Sequence, residues 1–375
     1  MMLKVFPVAT RSDRNAFCGF TAKHYADSPN WVPMLKSFER ELLNYTHHPF
    51  YDNAEIQTFL ATRDGKVVGR IAAIIDHLHN KTFSEKRGMF GFFECIDDES
   101  VAAELFKAAF DWMRAKGMDC VRGPNSPSLN QQFAGCLINA FDKPPTFMMP
   151  YNKPYYAKLI ESQGFVKAQD LLAFYCEKSM MGTMNPKLQL AVDEAHRRFP
   201  NMVVRPVNTR HIKKDLDAFV KLYNEGLRSV WGFVPMSDSE AASVASSLKL
   251  LIIPELTTVI ELDGKAVAIC FGMLDYNPII KKIKGNLFPF GIFQLLWGKR
   301  SIKKVRIIGA YVSPEMQKWG LGIVLLSRMF PDILKRGITE AEFSYVMESN
   351  RPSRGTLERG GALLDKVYRM YDRSL

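Results

Sequence analysis

Several absences narrow the field before any motif is considered. No apolar run reaches the roughly 20 residues that a membrane-spanning helix needs; the longest, NLFPFGIFQLLWG at 286–298, stops short. The first residues, MMLKVFPVATRSDRNAF, hold no apolar core of signal-peptide length, so export by that route is not expected. The 6 cysteines (Cys18, Cys95, Cys120, Cys136, Cys176, Cys270) are scattered and form no C-x-x-C, as suits reduced thiols in a cytoplasmic protein. Metal ligands are equally thin. His47 with His48 and His77 with His79 are the close histidine pairs, and neither is completed by cysteine or clustered carboxylates, so no metal site is expected.

Acid is missing from one long stretch. Between Asp275 and Glu315 there is no carboxylate, while Lys281, Lys282, Lys284, Lys299, Arg300, Lys303, Lys304 and Arg306 bracket the apolar run. Cations flanking Phe288, Phe290, Ile292, Phe293, Leu295, Leu296 and Trp297 fit a segment lying on an anionic bilayer. A buried helix with a solvated basic rim carries the same pattern. Nucleic acid fits less well, because the cluster interleaves with long aliphatic side chains more than with aromatic and polar base readers. The chain as a whole is basic, with a net charge of +11, which points to an anionic partner.

What is present reads as a globular α/β chain. Its 375 residues, 47% hydrophobic and 24% charged, suffice for two packed domains of ordinary size. EIQTFLATRDGKVVGRIAAIIDHLHN (55–80) reads as a hairpin turning at Asp64-Gly65. GMFGFFECI (88–96) is a further strand, and the helical spacing of Leu105, Phe106, Ala109, Phe110 and Met113 gives a helix stopped by Gly117. DCVRGP, then a helix near 152–165 and a strand at 170–177, close this half.

The same order then returns: a strand at 203–208, an amphipathic helix, and a hairpin at 257–277 with Asp263-Gly264 at its tip. A strand at 305–312, a helix at 322–337, a strand at 340–347 and a last strand at 366–371 follow. The division expected is 1–178, a linker at 179–202 rich in Met, Gly, Asn and Pro at its start, and 203–375.

VRIIGAYVSPEMQKWGLG (305–322) is the most informative stretch. A β-run enters a loop in which Gln317-x-x-Gly320-x-Gly322 opens a helix. Missing Cβ atoms let main-chain N–H groups approach an oxyanion, and the helix start adds unpaired donors and partial positive charge. A plain structural corner has the same glycines. It is not a Walker loop, for no Gly-Lys-Ser/Thr follows, and a dinucleotide fingerprint needs a third glycine and a later acid.

The motif Q/R-x-x-G-x-G/A after a strand resembles the coenzyme A loop of the GNAT acyltransferases. The helix, strand, Asn350 and the Gly360-Gly361 turn follow in that family's order. The resemblance implies a strand splayed from its neighbour, with acyl-CoA inserted between them. It places pantetheine at the backbone of Tyr311 and Val312, pyrophosphate at Gln317, Lys318, Trp319, Gly320, Leu321 and Gly322, and the lower pantetheine arm at Asn350. One departure matters. Many members carry an acidic tyrosine seven residues after the asparagine, where this chain has Leu357, and Gly361-Ala362 replaces the usual Gly-Phe.

In the first half, Asn152, Tyr155, Tyr156 and Gly164-Phe165 also resemble the GNAT pattern, yet Asp97, Asp98, Glu99 and Glu104 stand where the phosphate loop belongs and would repel a pyrophosphate. That half is expected to shape an acceptor pocket or to support its partner. Across nearly the whole chain, SPNWVPML, HPFYDNAE, FGFFEC, RGPNSPSLNQQ and WGFVP resemble a bacterial tandem-GNAT family similar to the bacterial ceramide synthases. The resemblance implies an α/β fold of two GNAT-like domains, acyl-CoA as co-substrate, and transfer of a fatty acyl group to a lipid-like, sphingoid-type amine on the inner face of a membrane. A non-catalytic acyl-CoA-binding regulator and an acetyltransferase acting on a soluble amine are the alternatives.

Acyl transfer to an amine needs a base for the amine's proton. Glu348, at a strand end two residues before Asn350, is the first candidate, and Glu94, inside the apolar FGFFEC, is the second; a surface carboxylate and a salt-bridged one are the plain readings of each. Asn125 and Asn130 in RGPNSPSLNQQ, Tyr151 and Tyr156, and Asn224, Trp231 and Phe233 in YNEGLRSVWGFVP are candidates for binding the acceptor. No cysteine stands where a covalent acyl-enzyme would need one, so direct transfer is expected.

Overall fold

The computed structural model describes residues 2–228 and 230–375, and among these residues thirteen strands and thirteen α-helices form. The strands are β1 (Leu3–Pro7), β2 (Ala54–Arg63), β3 (Lys66–Asp76), β4 (Arg87–Cys95), β5 (Cys120–Gly123), β6 (Cys136–Leu137) and β7 (Val166–Glu177). They continue as β8 (Val203–Pro206), β9 (Thr257–Leu262), β10 (Lys265–Leu274), β11 (Lys304–Val312), β12 (Glu340–Met347) and β13 (Leu363–Ser374). The helices are α1 (Arg11–His24), α2 (Lys36–Leu42), α3 (His77–Phe83), α4 (Glu99–Ala115), α5 (Tyr156–Glu161), α6 (Lys178–Gly182) and α7 (Pro186–Arg198). After them come α8 (Ile212–Gly226), α9 (Asp238–Leu251), α10 (Asn277–Lys282), α11 (Gly291–Trp297), α12 (Leu321–Lys335) and α13 (Arg351–Arg359).

Both expected hairpins form, β2 with β3 and β9 with β10. Their tips carry consecutive positive φ angles, 50° at Asp64 with 77° at Gly65, and 49° at Asp263 with 75° at Gly264. A turn of that hand matches the twist of the flanking strands, which is why Asp-Gly marks it. Helix α4 buries Val101, Ala102, Leu105, Phe106, Ala109, Phe110 and Met113, the stripe that its spacing predicts.

Two compact units result: unit 1 is Met1–Asp170, Tyr276–Gly298 and Lys366–Leu375, and unit 2 is Leu171–Asp275 and Lys299–Asp365. These differ from a cut at 178 and 203. In unit 1 the strands run β1-β2-β3-β4-β5-β13. Its last strand is the C-terminal end of the chain, with Tyr371 opposite Gly123 and Ser374 opposite Cys120. Arg122 holds that strand through Nε and Nη2, each 2.7 Å from an oxygen of Asp372. Unit 2 runs β7-β12-β11-β10-β9-β8, and there β7 comes from the first half, with Leu171 opposite Met347 and Glu177 opposite Glu340. The stretch 179–202 is no open linker either: α6 and α7 form in unit 2 and bury Met181, Val192 and Ala195.

The insertion 276–298 folds onto unit 1 and not onto the half that surrounds it in sequence. The Asn277 amide donates to Pro145 O at 2.7 Å, Lys36 N–H donates to Gly285 O at 2.9 Å, and Tyr276 meets Phe147 ring to ring at 5.4 Å. Its buried side is small, including Ile280, Ile283 and Leu295.

Burial in unit 1 also sets an acid limit. The imidazoles of His24 and His79 are both pushed down to about 4, in each case chiefly by burial. The unfolded chain takes up these protons near pH 6.5 and the folded one does not, so stability falls as pH drops from 6.5 towards 4 and is level above that window. A thermal midpoint followed over pH 4–8 should show this decline, and His79→Gln should flatten it. An unchanged decline in that variant rules His79 out as a source.

Candidate functional site

In unit 2, β11 runs parallel to β12 over Lys304–Ile307, opposite Glu340–Phe343, and their register ends there. The rest of β11 pairs on its other side with β10. The strand therefore leaves its parallel neighbour just before Tyr311 and Val312, the splay that an inserted ligand requires. Tyr311 itself turns its ring into the core against Phe219 and Tyr223, so its main chain is what the splay offers.

A short 3-10 turn, Pro314–Trp319, links the strand to α12. The Gln317 amide donates to Gly226 O at 3.0 Å and to Val312 O at 3.3 Å, which ties the loop to the C-terminal end of α8 and to the strand end. Gly320 has φ 69°, and as N-cap of α12 it supplies no side-chain acceptor for the helix's first N–H groups. A Cβ added at Gly320 or at Gly322 meets nothing within 4 Å. Backbone donors, helix dipole and free space coincide, which is what a phosphate group needs. Leu321 points into the core, whereas Lys318 is exposed. Trp319 lies under the Arg198 guanidinium, 3.8 Å from ring centroid to Cζ, an addition to this loop that the sequence did not suggest.

Asn350 caps α13, accepting from Ser353 N–H at 3.2 Å, and Glu348 sits half-buried in the turn before it. Asn224 is occupied with the backbone of Met236, accepting at 2.9 Å and donating at 3.2 Å. Phe233 is a core residue, 7% exposed in a cluster with Phe219 and Tyr223, and Trp231 is half-buried.

Unit 1 differs at both features. Past Met89 its own chain fills the gap between β4 and β5: Asn125 N–H donates to Phe90 O at 2.7 Å, and Ser126 Oγ accepts from Phe92 N–H at 2.9 Å. Asn125 is 1% exposed with its amide on Met89 Sδ at 3.2 Å, and neither it nor Asn130 lines the cavity described below. The start of α4 is closed as well. Asp98 accepts from Ser100 N–H at 2.9 Å and from Arg63 at 2.8 Å, and its hydrogen bonds, to the Ser100 hydroxyl first and Arg63 next, lower its carboxyl to about 2. A carboxylate thus stands where a phosphate would sit. Asp98→Ala is expected to cost about 1 kcal/mol in urea unfolding, the usual worth of an N-cap.

Glu94 is the best-prepared carboxylate in unit 1. Its Oε2 accepts from both Tyr25 OH and Tyr156 OH at 2.6 Å. Burial raises its carboxyl pKa, opposed by the charge of Arg70, which stands directly across the β3–β4 pair. Tyr156 OH also meets His24 Nε2 at 3.0 Å, and Cys95 N–H donates to it at 3.1 Å. Tyr151 and Tyr156 thus join Glu94 in one wall. Tyr25, His24 and Arg70 are missing from the candidates read in the sequence. Arg70 had a visible signal, a lone charge in the apolar VVGRIAAII, the same signal that marks Glu94.

Searched against models of known families, the chain matches none. Against curated proteins it is 33% identical to Protein YghO of Escherichia coli over 371 residues, 97% of this chain and 94% of that one. It is 32% identical to the bacterial ceramide synthase of Caulobacter vibrioides over 381 residues, 100% of this chain and 98% of that one. The chain belongs to the bacterial ceramide synthase family. Solved structures agree on the tandem-GNAT fold of this family member. A tandem GNAT protein from the clavulanic acid biosynthesis pathway superposes with TM-score 0.58 at 10% identity, covering 100% of this chain and 98% of that one. A GCN5-related N-acetyltransferase from Sphaerobacter thermophilus gives 0.55 at 13%, covering 99% and 95%. Membership of the ceramide synthase family, on this fold, supports an N-acyltransferase.

Proposed function

We propose that the protein moves a fatty acyl group from acyl-CoA to a long-chain amine of the sphingoid type, at an anionic membrane surface. The observation that carries this reading is the full-length likeness to a protein named a bacterial ceramide synthase. The open loop at 317–322 supports the coenzyme half, with pyrophosphate on the main chain of Gly320–Gly322, pantetheine along Tyr311 and Val312, and Asn350 beside it. In the reaction the amine nitrogen attacks the thioester carbonyl, the C–S bond breaks, and the amine gives up a proton. Glu348, in the same unit as the coenzyme loop, is the candidate base for that proton.

The membrane part of the reading rests on the insertion 276–298. Phe288 is 81%, Phe290 70% and Trp297 77% exposed, with Lys281, Lys282 and Lys284 exposed beside them. An apolar patch rimmed by cations suits anionic headgroups above an acyl layer. Among the described residues no helix is long and apolar enough to cross a membrane.

The test is release of CoA thiol from palmitoyl-CoA and from acetyl-CoA with sphinganine as acceptor, with the product identified by mass. Turnover of palmitoyl-CoA to an N-palmitoyl amine is expected. Faster use of acetyl-CoA would overturn the fatty-acyl assignment, and tight binding of both without release would make the protein an acyl-CoA-binding regulator.

A further inference from the structure

Unit 1 holds a cavity of about 890 Å³, within the size range of small-molecule sites. Every residue lining it belongs to that unit. We infer that this cavity seats the acceptor as a long-chain 2-amino alcohol, with its ammonium on Glu94 and its hydroxyl on Arg70. The inference rests on the proposed reaction for the choice of an amine, and names where that amine is held.

Four observations lead there. Glu94 spends Oε2 on two tyrosines, and among the described residues Oε1 has no hydrogen-bond partner although the side chain lines the cavity and is part-exposed. An ammonium is the group that best replaces the water lost by such a carboxylate. Arg70 is 3% exposed and lines the same cavity. Its Nη1 donates to Phe17 O and Glu39 Oε1, both at 2.9 Å, and among the described residues its Nη2 has no hydrogen-bond partner. That donor wants an acceptor oxygen, and leaving it bare is costly.

The spacing is the third point. Arg70 and Glu94 are directly opposed in the antiparallel β3–β4 register, so their side chains leave the sheet on one face a few ångströms apart. A nitrogen and an oxygen on neighbouring carbons span such a pair. Fourth, an apolar face stands among the polar lining: Trp31 stacks flat on Tyr25 at 5.2 Å and 10°, and Met34, Phe92 and Phe133 line the cavity with them. Lys281 and Lys284, from the insertion with the exposed aromatics, line the cavity too. The Glu94 carboxylate itself attracts an ammonium and repels a fatty acid's carboxylate.

The experiment is calorimetric titration of the full chain, without coenzyme, with 2-amino-1-dodecanol, dodecylamine, 1-dodecanol and dodecanoate below their critical micelle concentrations. The amino alcohol should bind best, dodecylamine next, and the other two at least about tenfold more weakly, the worth of one charge-assisted hydrogen bond. Glu94→Gln should cost the amines about 10- to 100-fold and leave 1-dodecanol unchanged. Gly322→Trp should leave every one of these affinities alone, so failure of the coenzyme loop and failure of this pocket are read separately. If dodecanoate binds as well as the amines, or if Glu94→Gln keeps full amine affinity, the assignment is overturned. Should Glu94→Gln not fold, Trp31→Leu decides: all four probes should weaken together with the amine preference intact, and a lost preference or unchanged binding counts against the pocket.

Discussion

Gly322→Trp is expected to remove acyl-CoA binding while leaving the fold intact. A Cβ at this position meets nothing within 4 Å, and no left-handed backbone is involved. The cost to stability should therefore stay within about 0.5 kcal/mol, as for an open surface site. The ligand loses far more. An indole over the first turn of α12 denies the pyrophosphate at least two main-chain donors, each worth about 1.5–3 kcal/mol to a charged acceptor. Affinity for CoA should fall at least about 100-fold. Titration calorimetry with CoA and urea unfolding of the same variant check both halves, and unchanged CoA affinity would remove the basis of the coenzyme assignment. Gly320 is the poorer choice, since its φ of 69° makes any side chain strain the turn itself.

The second large effect concerns the insertion. Changing Phe288, Phe290 and Trp297 together to serine removes side chains that are 81%, 70% and 77% exposed and that contribute little to packing in unit 1. Fully burying one such side chain is worth about 1.5–3 kcal/mol. With insertion only half complete, the triple variant should bind anionic vesicles on the order of 100-fold more weakly. Co-sedimentation with phosphatidylglycerol-containing vesicles measures this. Added salt should weaken the parent protein as the lysines are screened. Equal sedimentation of parent and variant would leave these aromatics without a membrane role.

Much of this was legible in the chain because the signals are local. Asp64-Gly65 and Asp263-Gly264 fix hairpins whatever surrounds them, and the stripe from Leu105 to Met113 can only bury one face of a helix. The loop at Gln317–Gly322 was legible for the same reason, since turn, glycines and helix start are neighbours. Partner choice was not legible. KVYRMY reads as a strand, but nothing in it says that Tyr371 lies opposite Gly123, some 250 residues earlier. The insertion likewise showed its cations and aromatics without showing that Gly285 O receives Lys36 N–H. In the cavity, Glu94 stood out as a charge in an apolar strand, whereas Tyr25 and Trp31 have their meaning only once α1 and the loop after it fold against β4. Asn125 shows the converse: an amide in a polar loop looks available until its backbone is seen filling the gap beside Phe90.

Lys366–Leu375 belong to unit 1, although Lys299–Asp365 of unit 2 separate them in sequence from the rest of it. The free edge of β5 is covered only by a strand made well after it, so the unit begun first waits for a distant segment before it closes. A stop codon in place of Tyr371 should thus leave Val121 and Arg122 on an edge open to other chains.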